Sequence, residues 1–195
     1  VALGTSGVTP MEMAAGFATF ATGGVRYAPF IIWRVEDAFG RVLEERIVER
    51  ERVLDPDICY QVVDMMTGVI DHGTAKRIRD MGFDRQAAGK TGTTNGYRDA
   101  WFTGFTANLS TAVWVGYDRG RGMRAKSGAG VTGGRGAAPI WTRFMKAATA
   151  GEPPRRFTKP NGVTMVSVNP RTGRKSGFFS SERLKVALRA GQEGG

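Results

Sequence analysis

The chain contains one cysteine, Cys59, and one histidine, His72, so neither an internal disulfide nor a Cys/His zinc site can be assembled from its own side chains. It has no uninterrupted apolar run of about 18 residues, and its N-terminus lacks the basic-then-apolar layout of a secretory signal. Nothing in this stretch therefore reads as a membrane span or a leader. Acidic residues are the minority charge, and a formal net charge of +10 would suit an anionic partner. The densest basic cluster, Arg119, Arg121, Arg124 and Lys126, lies in a glycine-rich stretch with no interleaved aromatic residues to stack on bases, and reads as a solvated loop. Internal repeats and low-complexity segments are absent as well. What is present is a globular composition, 41% hydrophobic over 195 residues, enough to bury a core.

Helices and strands alternate along the chain. Thr9-Pro10-Met11-Glu12 is a capping box with proline at the first helical position, so a helix starts at Pro10. Met13, Phe17, Phe20 and Ala21 give it one apolar stripe, and Gly23-Gly24 stops it. Residues 25 to 35 and Val42-Leu43 flank the turn Asp37-Ala38-Phe39-Gly40, which predicts a hairpin, while Arg46 to Arg52 reads as a solvated connection. Asp55-Pro56 starts a second helix with a stripe of Ile58, Val62, Met65, Met66 and Val69, ending at Gly73, with Cys59 and His72 as structural residues. A helical turn follows Lys76. Three strands, around Lys90, Trp101–Thr106 and Thr111–Tyr117, then form an antiparallel meander. A long loop over residues 116–136 leads to a third amphipathic helix carrying Pro139, Ile140, Trp141, Phe144, Met145 and Ala148. The pattern closes with a strand at Val163–Val168, a turn at Asn169–Gly173 and a short helix within Ser180–Ala190. The expected fold class is α+β, an antiparallel sheet flanked by helices.

The stretch Gly89-Lys90-Thr91-Gly92-Thr93-Thr94 is free of apolar residues and rich in donors. Two glycines and three β-branched hydroxyls disfavour helix and favour an extended segment. A phosphate-binding loop is excluded twice: Asp84 stands where the first glycine of that motif belongs, and Gly92 to Gly96 are poor helix formers. In a strand, Thr91 and Thr93 share one face and Lys90 and Gly92 the other. Two neighbouring hydroxyls can hold a carboxylate, and an open strand edge can take an extended peptide as an added strand.

Lys90-Thr91-Gly92, followed by Arg98-Asp99-Ala100-Trp101-Phe102-Thr103-Gly104-Phe105, resembles the transpeptidase domain of class A (bifunctional) penicillin-binding proteins. Thr5 to Ala21, Val131-Thr132-Gly133-Gly134 and Ala138-Pro139-Ile140-Trp141 resemble further segments of that family in the same order. The resemblance covers most of residues 1–150, giving the C-terminal part of a transpeptidase domain over 1–150 and a strand with a flexible tail over 151–195. It implies acyl transfer from D-Ala-D-Ala stem peptides of peptidoglycan and acylation by β-lactams, on the periplasmic side of the bacterial inner membrane. By the same resemblance Lys90 and Thr93 are catalytic, with the Thr93 N–H one of two oxyanion donors. Thr91, Gly92, Thr93 and Thr94 bind substrate, and no metal or other cofactor is implied.

One departure from the family matters. Its order is Ser-x-x-Lys, Ser-x-Asn, Lys-Thr-Gly, with the first serine as nucleophile, and no serine in this chain has lysine three residues later. Ser167-Val168-Asn169 comes after the Lys-Thr-Gly strand and reads as coincidence. The expected picture is a fragment inactive alone, whose partner is the missing N-terminal half of the same protein, with membrane contact only through an anchor there. A non-catalytic scaffold on the same fold is the second reading, and a basic nucleic-acid module the third.

Overall fold

The computed structural model describes residues 6–176 and 183–192. Helix α1 (Pro10–Ala21) begins as its sequence dictates: the Thr9 N–H donates to Glu12 Oε2 at 2.8 Å and the Glu12 N–H to Thr9 Oγ1 at 3.2 Å. The Thr9 N–H, and with it the Thr9 hydroxyl, favours the ionised Glu12 carboxyl and holds it below its ordinary range. After the glycine pair come four short strands: β1 (Val25–Tyr27), β2 (Arg34–Glu36), β3 (Val42–Glu45) and β4 (Arg50–Arg52). They form an arm of two separate two-stranded ladders. The expected hairpin is β2 with β3, but Val25–Tyr27 pairs antiparallel with Arg50–Arg52. The end of the charged run is thus a strand rather than a solvated connection. All three β4 residues are exposed, and the pairing is made by backbone, which charge pattern does not report.

Helix α2 (Pro56–Asp71) is capped by Asp55, whose carboxylate accepts the N–H groups of Asp57 and Ile58 at 2.9 and 3.2 Å. Its buried face is Cys59, Val63, Met66 and Ile70; of the expected stripe Met66 is buried and Val62 and Val69 pack half-buried against the cores, while Ile58 and Met65 are exposed. Both stripes obey the helical period, so only the partner elements choose between them. A single turn, α3 (Arg77–Asp80), follows. The central sheet is the antiparallel meander β5 (Ala88–Thr93), β6 (Asp99–Phe105) and β7 (Ser110–Gly116), in that spatial order. Its register sets Thr91 opposite Phe102 and Thr93 opposite Ala100.

Phe102 and Phe105 point to opposite faces of β6 and anchor two cores. On one side, Phe105 and Ala88 pack with Val63 and Met66 of α2 and with Phe17 and Phe20 of α1. On the other, helix α4 (Ala138–Ala148) brings Trp141 edge-on to Phe102 and Phe83, at ring separations of 5.2 and 5.4 Å, and the Trp141 indole N–H donates to the Gly104 carbonyl at 3.2 Å. Ile140 and Phe144, expected in the α4 stripe, are instead half exposed, because the sheet accepts only the Trp141 and Met145 side of the helix.

The last ladder is β8 (Val163–Val168) with β9 (Leu184–Arg189). Leu184–Arg189 is therefore a strand, where a helix was expected; pairing with β8 overrides local propensity, and residues 180–182 of that expectation lie outside the described residues. The ladder is tied to α2: the Gln61 amide donates to Ala187 O at 3.2 Å, and the Ala187 N–H donates to Asp64 Oδ2 at 2.9 Å. Burial pushes the Asp64 carboxyl above its ordinary range, against the opposing pull of the Ala187 N–H.

Candidate functional site

Strand β5 is an edge: β6 is its only sheet neighbour among the described residues. The Thr94 N–H donates to Asp99 O at 3.1 Å, so Lys90 and Gly92 turn their backbone groups toward β6 while Thr91 and Thr93 turn theirs outward. Among the described residues no backbone group bonds to the Thr91 or Thr93 N–H. The unpaired edge thus lies along the Lys-Thr-Gly stretch.

Beside this edge opens a cleft of about 1150 Å³, lined by Thr91, Thr93, Thr74, Tyr97, Thr132 and Gly134 among others. The side chains of Thr91 and Thr93 both face it. The Gly133 N–H donates to Thr93 Oγ1 at 3.0 Å, and the Thr74 and Thr91 hydroxyl oxygens are 2.7 Å apart. A backbone N–H can only donate, so Thr93 Oγ1 is an acceptor in its bond and keeps its own proton for a ligand. These contacts depend on a tight single turn of π-helix, residues 133–137, packed on the sheet. A Cβ on Gly133 would run into the Trp101 carbonyl and stand 2.7 Å from the Gly92 carbonyl oxygen, and one on Gly134 would meet the Thr74 carbonyl. Only glycine allows this approach.

Lys90 is exposed on the opposite face, yet its Nζ bends round to donate to the outward carbonyl of Thr91 at 3.0 Å, which sets the ammonium at the strand edge. Gly92 lies on the same face as Lys90, under the Trp101 side chain. Thr94 lies outside the cleft. Its hydroxyl donates to Asp99 Oδ2 at 3.0 Å and accepts the Asp99 N–H at 2.9 Å, closing the turn between β5 and β6. Of the sequence-derived residues, then, Thr91 and Thr93 meet in the cleft, Lys90 and Gly92 flank it from the other face, and Thr94 shapes its end.

The cleft mouth is formed where the loop after β7 comes back. The Met123 N–H donates to Tyr97 O at 2.8 Å, the Arg124 guanidinium stands 5.9 Å from the centre of the Tyr97 ring, and Tyr97 itself holds a positive φ of 57°. Arg77, Arg124 and Arg135 line the walls, with Asp80 as the carboxylate, itself paired with Lys76 at 3.2 Å. The balance favours an anion. Among the described residues no group of three or more His, Cys, Asp or Glu side chains could hold a metal ion. Thr74, Tyr97 and Gly133 were not singled out as site residues from sequence. The signal available was the glycine beside each threonine, in Gly73-Thr74 and Thr132-Gly133-Gly134, which marks close backbone approach without naming what approaches.

The family described as Penicillin binding protein transpeptidase domain matches residues 1–145. Penicillin-binding protein 1A of Aquifex aeolicus is 41% identical over 171 residues, covering 88% of this chain and 23% of that protein. The crystal structure of penicillin-binding protein 1A from Haemophilus influenzae superposes with a TM-score of 0.85 at 27% identity, over 98% of this chain and 33% of that one. The PonA1 protein from Mycobacterium tuberculosis, in complex with penicillin V, matches with a TM-score of 0.67 at 30% identity, over 77% of this chain and 40% of that one. The chain spans about a quarter of the curated relative's length. With the family model matching residues 1–145, most of its length, the chain belongs to the penicillin-binding protein transpeptidase family.

Proposed function

We propose that this chain forms one wall of the active site of a serine-type D,D-transpeptidase, which cross-links peptidoglycan stem peptides by acyl transfer from D-Ala-D-Ala and is acylated by β-lactams. The observation that carries the proposal is the open β5 edge, with the outward Thr91 and Thr93 backbone groups beside two cleft-facing hydroxyls. An extended D-Ala-D-Ala terminus adds to that edge as a strand, and its carboxylate accepts hydrogen bonds from the Thr91 and Thr93 hydroxyls. The reacting carbonyl then develops its negative charge against the outward Thr93 N–H, a preorganised donor that needs no rearrangement. Lys90 supplies a positive charge at the same edge and eases proton movement at a neighbouring hydroxyl. Gly92 keeps the strand slim and Thr94 fixes its end.

The nucleophile is not among the serines of this chain: none precedes a lysine by three, so it comes from another segment of a longer protein, along with any glycosyltransferase activity and membrane anchor. Among the described residues no helix is long and apolar enough to cross a membrane. The working location is the outer face of the bacterial inner membrane, where stem peptides are found. Labelled penicillin tests the assignment. The 195-residue chain forms no denaturation-resistant adduct, whereas a longer chain carrying a Ser-x-x-Lys segment forms one and loses it when Thr91 and Thr93 are both changed to valine. Stoichiometric labelling of the short chain sinks the assignment of the nucleophile, and labelling of the long chain that ignores the double change sinks the assignment of the strand.

A further inference from the structure

The turn after α2 reaches the same strand edge. His72 ends the helix by donating its N–H to Gly68 O at 3.1 Å, and Ala75, fully buried, donates its N–H to Val69 O at 2.9 Å. Between them, a Cβ on Gly73 would stand 2.7 Å from Val69 Cα, so the chain folds back tightly on the helix it has just left. Thr74 is fixed on both sides by these contacts, and its carbonyl lies against Gly134. Its hydroxyl oxygen stands 2.7 Å from that of Thr91. In a hydroxyl pair at that distance one oxygen donates and the other accepts, and only the acceptor keeps its own proton for a third group. Thr93 shows how the strand is set: its oxygen accepts from Gly133, with its proton left over.

We propose that Thr74 is a positioning residue for Thr91: it donates its proton to Thr91 Oγ1, so that the Thr91 proton is directed at the carboxylate of a peptide ending in D-Ala-D-Ala. This rests on the function proposed above. The two threonines of the strand then have matching arrangements, each accepting from a rigid neighbour on another element and each donating into the cleft. A chain of two hydroxyls ending on an anion is also mutually polarising, which strengthens the terminal bond. The effect is selective for charge. A ligand whose C-terminus is an amide offers the Thr91 proton a neutral oxygen and gains less from its orientation.

The test is a titration of the isotopically labelled chain with N-acetyl-D-Ala-D-Ala and, separately, with its C-terminal amide, read from the amide resonances of Thr91 and Thr93. Thr74→Val keeps the shape and removes the hydroxyl; Thr74→Ser restores it. The expected result is that Thr74→Val weakens binding of the carboxylate peptide about threefold to tenfold, the size of one lost hydrogen bond. Binding of the amide falls by a clearly smaller factor, and Thr74→Ser returns most of the loss. Because Thr74 acts through Thr91, adding Thr74→Val to Thr91→Val produces no further weakening. A purely structural role for Thr74 would weaken both peptides alike, and that outcome overturns the proposal. So does a Thr74→Val loss that persists in the Thr91→Val background, which would put Thr74 itself on the ligand. If the wild-type chain shows no carboxylate-dependent shift at Thr91 or Thr93, the peptide-binding reading of the strand and this assignment fall together. If the wild type responds and Thr74→Val responds equally, only the Thr74 assignment falls.

Discussion

The arm over residues 25–52 and the sheet over residues 88–116 are both written in β-branched and aromatic residues, yet the molecule treats them in opposite ways. In the sheet, Phe102 and Phe105 are completely buried, whereas on the arm's β3 Leu43 is 58% exposed and Val42 42%, and Phe39 in the turn before it is 96% exposed. The difference is not in the strands but in what covers them. β6 has helices on both faces, so its alternating side chains each find a core. Among the described residues the arm has two narrow ladders and no helix packed over Leu43 or Phe39, and a two-stranded ribbon has no face wide enough to bury what it carries. The candidate site lies on the covered region, because a threonine hydroxyl held by Gly133 requires a backbone that does not move.

The sharpest test of that contrast is Trp141→Ala. The change removes a fully buried ring wedged between Phe83 and Phe102 and leaves the Gly104 carbonyl without the indole donor. The expected loss is about 3–5 kcal/mol of unfolding free energy. It is measured by denaturant titration at constant slope. A loss near that of an arm substitution would mean that α4 is not what makes the sheet a core.

Next in size is the role of the edge backbone, tested in a longer chain that carries the nucleophile. Thr93→Pro removes the outward N–H and should slow acylation by labelled penicillin roughly a hundredfold to a thousandfold. Thr93→Ala removes the hydroxyl but keeps the N–H, costs roughly 1.5–3 kcal/mol, and leaves measurable acylation. Both variants must melt with the parent. Equal rates for the two would show that the Thr93 N–H is no oxyanion donor. Gly133→Ala should follow, at about 1–3 kcal/mol of stability, because its Cβ meets carbonyl oxygens of two strands rather than a side chain that can swing aside. It should also weaken the edge, since the Gly133 N–H can no longer sit 3.0 Å from Thr93 Oγ1. Wild-type stability there would show that the 133–137 turn floats over the sheet.

How much of this was readable in the sequence follows the same division. Local rules sufficed for the Thr9–Glu12 cap, the Asp55-Pro56 start and the facing of Thr91 and Thr93, because each depends on residues within a few positions of one another, and for the meander, because its strands follow one another in sequence across short turns. The face of α2 was legible only in part: Met66 belongs to the expected and to the observed stripe, and the choice of Cys59 and Val63 over Ile58 and Met65 belongs to Phe17, Phe105 and Ala88, far away in sequence. The β1–β4 pairing and strand β9 were missed for the same reason: a backbone ladder between distant segments leaves little mark on either. In the site, the strand was legible but its neighbours were not, because the Thr74–Thr91 and Gly133–Thr93 contacts span 17 and 40 residues.

The β8–β9 ladder lies between the two extremes, as narrow as the arm's ribbons but anchored on α2 through Asp64. Burial raises the folded Asp64 value above the ordinary one near 3.8. A raised carboxyl stabilises the fold relatively more below the unfolded value, and that contribution is lost as pH rises through the folded value. Asp64→Asn keeps an oxygen for the Ala187 N–H and removes the charge. It should therefore raise the melting temperature slightly at pH 7, change it little at pH 3, and flatten the profile between. A drop at pH 7 would mean that the charged bond to Ala187 outweighs the burial.

The smallest effect should come from the arm itself, and it is the one that decides whether the comparison holds. Phe39 lies in the turn between β2 and β3, where Asp37 Oδ1 accepts the N–H groups of Phe39 and Arg41, both at 2.9 Å, and Gly40 takes a φ of +79°. The turn is thus held by Asp37 and by the backbone, and the Phe39 ring contributes almost nothing to it. Phe39→Ser should change unfolding free energy by less than about 0.5 kcal/mol, the range of ordinary surface substitutions. It should lower the binding of a hydrophobic dye, because a large apolar side chain leaves the surface. Asp37→Ala, which changes no apolar residue, should cost more, since two N–H groups lose their acceptor and the turn loses its hold on Arg41. If Phe39→Ser instead destabilises the chain as much as Asp37→Ala, the ring is packed against something in solution, and the arm is a covered surface like the sheet.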